Sequence, residues 1–127
     1  MNLLLDTHAL LWWATLDPGL SLRAKKAISA EATGVYVSAA SIWEISTKVR
    51  LGKLEWPADA GTVTTYILGQ GFRGLPIALT HAELAGELRI DHRDPFDRML
   101  IAQARLEDLL LVSNERLFDT AGVKRLW

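Results

Sequence analysis

The chain has 127 residues, half of them hydrophobic and 23% charged, with a formal net charge of −1 and no cysteine. That length suits one hydrophobic core, read as a single domain over residues 1–127. The lack of cysteine excludes disulfides and thiolate metal sites and fits a reducing, cytoplasmic setting, while the near-neutral charge means that any contact with nucleic acid must rest on local positive patches.

Met1 to Leu5 is apolar but has no basic flank and is interrupted by Asp6, which is not the pattern of a secretion signal. No apolar run reaches the roughly 20 residues needed to span a bilayer, so no membrane association is expected. Leu3 to Leu5 reads as a short buried strand ending at Asp6. Thr7 to Leu16 reads as a helix, stopped by Asp17-Pro18-Gly19. Ser21 to Ala32 has helical composition, and Val35 to Val37 reads as a second strand. A helix follows over Ser38 to Leu51, with Ile42, Ile45 and Val49 on one stripe and Gly52 as its stop. Glu55-Trp56-Pro57 is loop. Asp59 to Leu68 is expected to be helical, although the β-branched Thr62 to Thr65 weakens the propensity. Gly69, Gly71 and Gly74 are read as loop, because they do not join a strand to a helix in the order a phosphate-cradling motif requires. Leu75 to Leu79 is expected to be a strand, and Thr80 with Glu83 reads as a capping box opening the next helix. Asp94 and Pro95 suit the N-cap and first position of another helix. Leu109 to Val112 is an apolar strand. A short helical turn and a last strand, Val123 to Trp127, close the chain.

Apolar strands alternating with helices point to an α/β fold whose mostly parallel central sheet is flanked by helices on both faces. Ligands of such sheets bind outside the carboxyl ends of the strands. Asp6 follows the first strand, Glu44 lies in the second turn of the helix after the second strand, and Asp97 lies in the first turn of the helix after Asp94. Ser113, Asn114 and Glu115 follow the strand at Leu109 to Val112. All four acids are therefore expected at one end of the sheet. Each also has a purely structural explanation. Asp6 can cap the helix at Thr7, Glu44 can pair with Lys48 four residues on, Asp97 suits the helix dipole, and Glu115 suits a first helical turn. Taken together, four converging carboxylates repel one another unless a cation or protons intervene. Oxygen donors alone favour Mg²⁺ or Mn²⁺ over zinc. His8, His81 and His92 form no ligand-spaced pair, and His8 is read as structural.

Four segments carry a resemblance. Leu3-Leu4-Leu5-Asp6-Thr7-His8, Ser38-Ala39-Ala40-Ser41-Ile42-Trp43-Glu44-Ile45, Asp94-Pro95-Phe96-Asp97-Arg98-Met99-Leu100-Ile101-Ala102 and Leu111-Val112-Ser113-Asn114-Glu115 stand in the order of the motifs of PIN-domain ribonucleases. The chain resembles in particular the VapC-type toxins of bacterial toxin–antitoxin pairs, over nearly its whole length. The resemblance implies a single PIN-like domain. It also implies a metal-dependent endoribonuclease that hydrolyses phosphodiester bonds in RNA, with Mg²⁺ or Mn²⁺ held by Asp6, Glu44, Asp97 and Glu115. The family's fourth motif most often presents Asp. Glu115 is longer by one methylene, and Asn114 or Ser113 are the alternatives for that position.

On this reading Thr7, Ser113 and Asn114 support the site by positioning a water or a phosphate oxygen. Lys48, Arg50, Arg98 and Arg116, with Lys53 beside them, are the residues expected to hold backbone phosphates. The resemblance further implies a homodimer silenced by an antitoxin partner. Trp43 and Trp127 are expected in core or interface. Trp12 and Trp13 are adjacent on a helix and cannot point the same way, which leaves one for a protein contact. Two other classes fit the acids less fully: a catalytically silent α/β binding module, and a Mg²⁺-dependent phosphoryl-transfer enzyme acting on small phosphate esters.

Overall fold

In the computed structural model, which describes residues 1–31 and 33–127, five strands alternate with helices. The strands are β1 (Leu3–Leu5), β2 (Val35–Ser38), β3 (Arg73–Leu75), β4 (Leu110–Val112) and β5 (Arg125–Leu126). The helices are α1 (Thr7–Thr15), α2 (Leu22–Ser29), α3 (Ala39–Arg50), α4 (Val63–Gly69), α5 (Leu79–Glu87) and α6 (Pro95–Leu106), with short 3₁₀ turns at Ala58–Ala60 and Arg116–Thr120. Among the described residues, no helix is long and apolar enough to cross a membrane.

Every pairing in the sheet is parallel, in the order β3-β2-β1-β4-β5. The expectation of an α/β fold with a mostly parallel, doubly covered sheet is met. Alternation along the strands divides two cores. Leu3, Leu5, Val35, Val37 and Val112 face α1, α2, α3 and α4, meeting Leu10, Ile28, Ile45 and Ile67. Leu4 and Leu111 face the other way, onto Leu100, Ile101 and Ala104 of α6. Because β1 is central and covered on both sides, its three leucines are all buried, which is why the segment is apolar at every position rather than at alternate ones.

Local capping explains the helix starts nearest the sheet. Asp6 Oδ1 accepts from Ala9 N–H at 2.7 Å at the head of α1. Ser38 Oγ accepts from Ala40 N–H at 3.0 Å at the head of α3. Asp94 Oδ1 accepts from Asp97 N–H at 3.0 Å, with Pro95 at the first helical position of α6, as the sequence suggests.

Several boundaries differ from the sequence reading. Ser21 is the N-cap of α2, which ends at Ser29; Ala32, at the end of the helix expected over 21–32, lies outside the described residues. The helix expected over Asp59 to Leu68 is split, because Gly61 at φ 75° breaks the 3₁₀ turn from α4. The strand expected at Leu75 to Leu79 sits earlier, at Arg73–Leu75, and Leu79 instead begins α5. Gly69 closes α4 and Gly74 lies in β3, so only Gly71 of the three glycines remains between elements. The Thr80–Glu83 capping box does not form. α5 starts two residues before the expected pair takes effect, and His81 Nδ1 accepts from Ala78 N–H at 2.9 Å.

Candidate active site

The chain runs outward from β1 through β2 to β3, then returns to place β4 on the other side of β1. Neighbouring connections therefore diverge between β1 and β4, which opens a crevice at the carboxyl ends of these strands. Register makes the position definite. Leu5 pairs with both Val37 and Val112, so Asp6, Ser38 and Ser113, the next residue of each strand, stand level at the same edge.

Around this edge a cleft of about 290 Å³ is lined by Asp6, Thr7, His8, Trp12, Glu44, Lys48, Asp94, Asp97, Asn114, Glu115 and Phe118. The four acids expected from sequence thus share one cleft, although they come from the residue after β1, from α3, from α6 and from the turn after β4. Asp6 and Glu44 are buried, at 6% and 5% exposure. Thr7, buried beside them, donates its hydroxyl to Glu44 Oε1 at 2.6 Å, and Ser41 Oγ lies 3.1 Å from the same hydroxyl. Ser113 is fully buried, and its Oγ accepts from Glu115 N–H at 3.0 Å. Glu115 is exposed on the cleft rim, where its Oε1 accepts from Leu117 N–H at 3.2 Å and caps the following 3₁₀ turn.

Burial pushes the Asp6 carboxyl up to about 6; the Ser113 hydroxyl, the Ala9 N–H and the His8 charge pull against it, and the negative charge of Asp97 adds to it. Asp97 is raised too, first by burial and further by Asp94 and Glu44, against a lowering bond from His92. Burial alone disfavours these carboxylates as charges, and their mutual repulsion adds to the cost. The hydrogen bond to Glu44 raises Lys48, assisted by the charges of Asp94 and Asp97.

The all-oxygen donor set of Asp6, Glu44, Asp97 and Glu115 fits a hard divalent cation such as Mg²⁺ or Mn²⁺. Among the described residues, no three Asp, Glu or His side chains stand close enough together to hold an ion as they are. Two of the acids have cationic or imidazole partners. Lys48 Nζ donates to Glu44 Oε2 at 2.5 Å, and His92 Nε2 lies 2.8 Å from Asp97 Oδ2.

Of the basic residues expected near the substrate, only Lys48 lines the cleft. Arg50 is exposed on the last turn of α3, and Arg116 is exposed at the start of the 3₁₀ turn after β4. Arg98 is engaged elsewhere. Its guanidinium donates to the carbonyls of Ala85, Leu88 and His92 at 2.9, 2.6 and 2.9 Å, and to those of Gly86 and Ile90 at 3.4 Å. It closes the end of α5 and the loop into α6, which leaves it no free donor for a phosphate.

Sequence reasoning missed His92, a partner of one of the acids, and the place of Asp94 and His8 in the cleft lining. His92 serves a single carboxylate and stacks against Phe118 at 5.6 Å, so a search for paired ligands passes over it. Asp94 was read only as a cap, yet it also faces the cleft. His8, read as structural, is exposed on the cleft wall against Trp12, whose other neighbour is Trp127. Trp13 turns away to Phe72 and Gln70, so the two adjacent tryptophans do diverge. Trp43 is not core: it is 62% exposed and rests edge-on against Phe96.

A family model described as PIN domain matches residues 3–124. Several solved structures share the fold. The VapBC2 complex from Rickettsia felis, bound to a DNA fragment from its promoter, aligns at TM-score 0.74 with 14% identity, covering 99% of this chain and 98% of that one. The FitAcB structure from Neisseria gonorrhoeae aligns at 0.64 with 22% identity, over 100% and 97% of the two chains. VapC20 from Mycobacterium tuberculosis, described as a toxin that cleaves the sarcin–ricin loop, aligns at 0.63 with 19% identity over 95% of each. No curated protein sequence matches the chain.

Proposed function

The chain belongs to the PIN-domain family, and from that premise we propose that it is a Mg²⁺- or Mn²⁺-dependent endoribonuclease and the toxin of a type II toxin–antitoxin pair. The observation that carries the reading is the gathering of Asp6, Glu44, Asp97 and Glu115 around one cleft at the β1–β4 switch point. A site for a small phosphate ester would want fixed positive groups facing the substrate, whereas the cleft holds five acids and one lysine.

Asp6, Glu44 and Asp97 would hold the ion, and Glu115 would complete the site or orient the attacking water, with Asn114 or Ser113 as alternatives at that fourth position. The chemistry such an ion supplies is reversal of the cleft's negative sign toward the phosphodiester, activation of water and stabilisation of the leaving oxygen. The chain's own groups prepare the place for it. Thr7 fixes one oxygen of Glu44, the Ala9 N–H fixes one oxygen of Asp6, and Ser113 anchors the turn that carries Asn114 and Glu115. Rigid carboxylates bind and orient without reorganising during the reaction. Lys48, Arg50 and Arg116 are the proposed backbone contacts; Arg98 is withdrawn from that role by its five carbonyl bonds.

A further solved structure that shares the fold is described as a toxin–antitoxin complex from Klebsiella pneumoniae, and this supports an antitoxin as the chain's partner. We place the protein in the cytoplasm and as a homodimer. The test is Asp6→Asn, which keeps an oxygen to cap α1. Folded Asp6→Asn protein is expected to cleave RNA in Mg²⁺ at least about 100-fold more slowly than wild type, since a ligand is lost. Cleavage at the wild-type rate would remove Asp6 and the reading with it.

A further inference from the structure

The acidic cleft contains one cation of the chain's own. Lys48 sits one helical turn after Glu44, and its Nζ donates to Glu44 Oε2 at 2.5 Å. Pairs at this spacing are common on helix surfaces and contribute little. This one differs because the Glu44 side chain is 6% exposed, against 34% for Lys48. The other Glu44 oxygen is taken by the Thr7 hydroxyl, so both oxygens of a buried carboxylate are in use.

An ion that binds Glu44 competes with these two donors for the carboxylate's charge and lone pairs, and the two are not equal. Displacing Thr7 would exchange a short bond of 2.6 Å to a carboxylate, inside the protein, for a longer one of 3.1 Å to the neutral Ser41 Oγ. Displacing Lys48 returns an ammonium on a flexible stem to water, which hydrates it strongly. A divalent ion also supplies the charge that the ammonium was supplying. Lys48 is the donor that leaves.

We propose that Lys48 is the resident counter-cation of the cleft: it holds Glu44 in the metal-free protein, yields that carboxylate to a divalent ion, and so limits how tightly the ion binds. Its release frees the ammonium for the phosphate contact proposed above. The inference rests on the metal-dependent nuclease reading and adds to it a residue that opposes metal binding, where the other polar residues of the cleft favour it.

The test is Mn²⁺ binding by calorimetry on the full chain as wild type, Lys48→Met and Lys48→Arg, with thermal unfolding to establish that each is folded. Lys48→Met removes the competing charge and is expected to bind Mn²⁺ about tenfold tighter, while Lys48→Arg, which keeps it, binds no tighter than wild type. Equal or weaker binding by folded Lys48→Met overturns the proposal. A second measurement needs no variant. Acylation of lysine amines, followed by mass spectrometry, is expected to modify Lys48 several-fold faster once Mn²⁺ is added, with exposed Lys53 as the unchanged control. Constant Lys48 labelling in protein that binds Mn²⁺ overturns the proposal and leaves the nuclease reading intact. Wild-type protein that binds no Mn²⁺ overturns both.

Discussion

Asp6 does three things at once. Its backbone N–H pairs with Val112 O at 3.1 Å beside the end of β1, its Oδ1 caps α1, and its carboxylate faces the cleft. The cap alone would not require burial, and burial is what raises its pKa from 3.8 to about 6. A carboxyl raised in the folded state favours folding only while protonated. Its contribution is full below the unfolded value and is lost as pH rises through the folded one. Metal-free protein is therefore expected to lose stability between about pH 4 and 6, by roughly 3 kcal/mol from this group at about 1.4 kcal/mol per pKa unit. Asp97 shifts in the same direction and adds to the loss. Denaturant unfolding in EDTA checks this: Asp6→Asn should be more stable than wild type at pH 7 and indistinguishable from it near pH 4. Equal stability at pH 7 would mean that the buried charge carries no penalty. At this scale the sequence was informative about which acids share the cleft, because Asp6 and Glu115 follow strands and Glu44 and Asp97 lie in the first two turns of helices that start near the same sheet edge. It offered Lys48 as a partner of Glu44, which the structure shows, but gave no sign of His92, whose significance lies in which carboxylate oxygen it reaches.

The elements that carry these acids are short and depend on their ends. α5 and α6 are joined by a loop that Arg98 ties to itself through five carbonyls. Two of these, Ala85 and Gly86, belong to the last turn of α5, where helix carbonyls lack intrahelical partners. Arg98→Ala would strand several of them and is expected to cost about 3 kcal/mol, seen as a lower midpoint in thermal or urea unfolding. Arg98→Lys should recover little, since one ammonium cannot span the fork. An unchanged midpoint would show the loop to be held by other contacts. The sequence located α1, α3 and α6 well because apolar stripes and caps agree there. It misplaced β3 for a physical reason. Arg73 and Gly74 are exposed at the sheet edge and carry no apolar signal, whereas the apolar run that follows contains Pro76, which cannot donate to a ladder. The split before α4 turned on one glycine at positive φ, a conformation that spacing does not reveal.

For the molecule as a whole, strand alternation was legible in the sequence and strand order was not. Composition says that β1 and β4 are buried, but only the return of the chain past β1 makes them neighbours and opens the crevice between their ends. That topology is what converts four acids scattered over the chain into one cleft. It also reconciles a net charge of −1 with the proposed RNA substrate, since the negative charge is concentrated where a cation would neutralise it. Trp43 and the 90% exposed Leu79 are apolar residues at the surface, and the proposed homodimer is tested at this scale. Light scattering after size exclusion is expected to give twice the 14.1 kDa chain mass, and a clean monomer would contradict the dimer. The most direct measurement is incubation of wild type and Asp97→Asn with total cellular RNA in Mg²⁺, in Mn²⁺ and in EDTA. Discrete fragments that require the metal and vanish with Asp97→Asn are the expected result. Cleavage that persists in EDTA or in the variant, or no cleavage by folded wild-type protein with either metal, would contradict a metal-dependent nuclease built on this cleft.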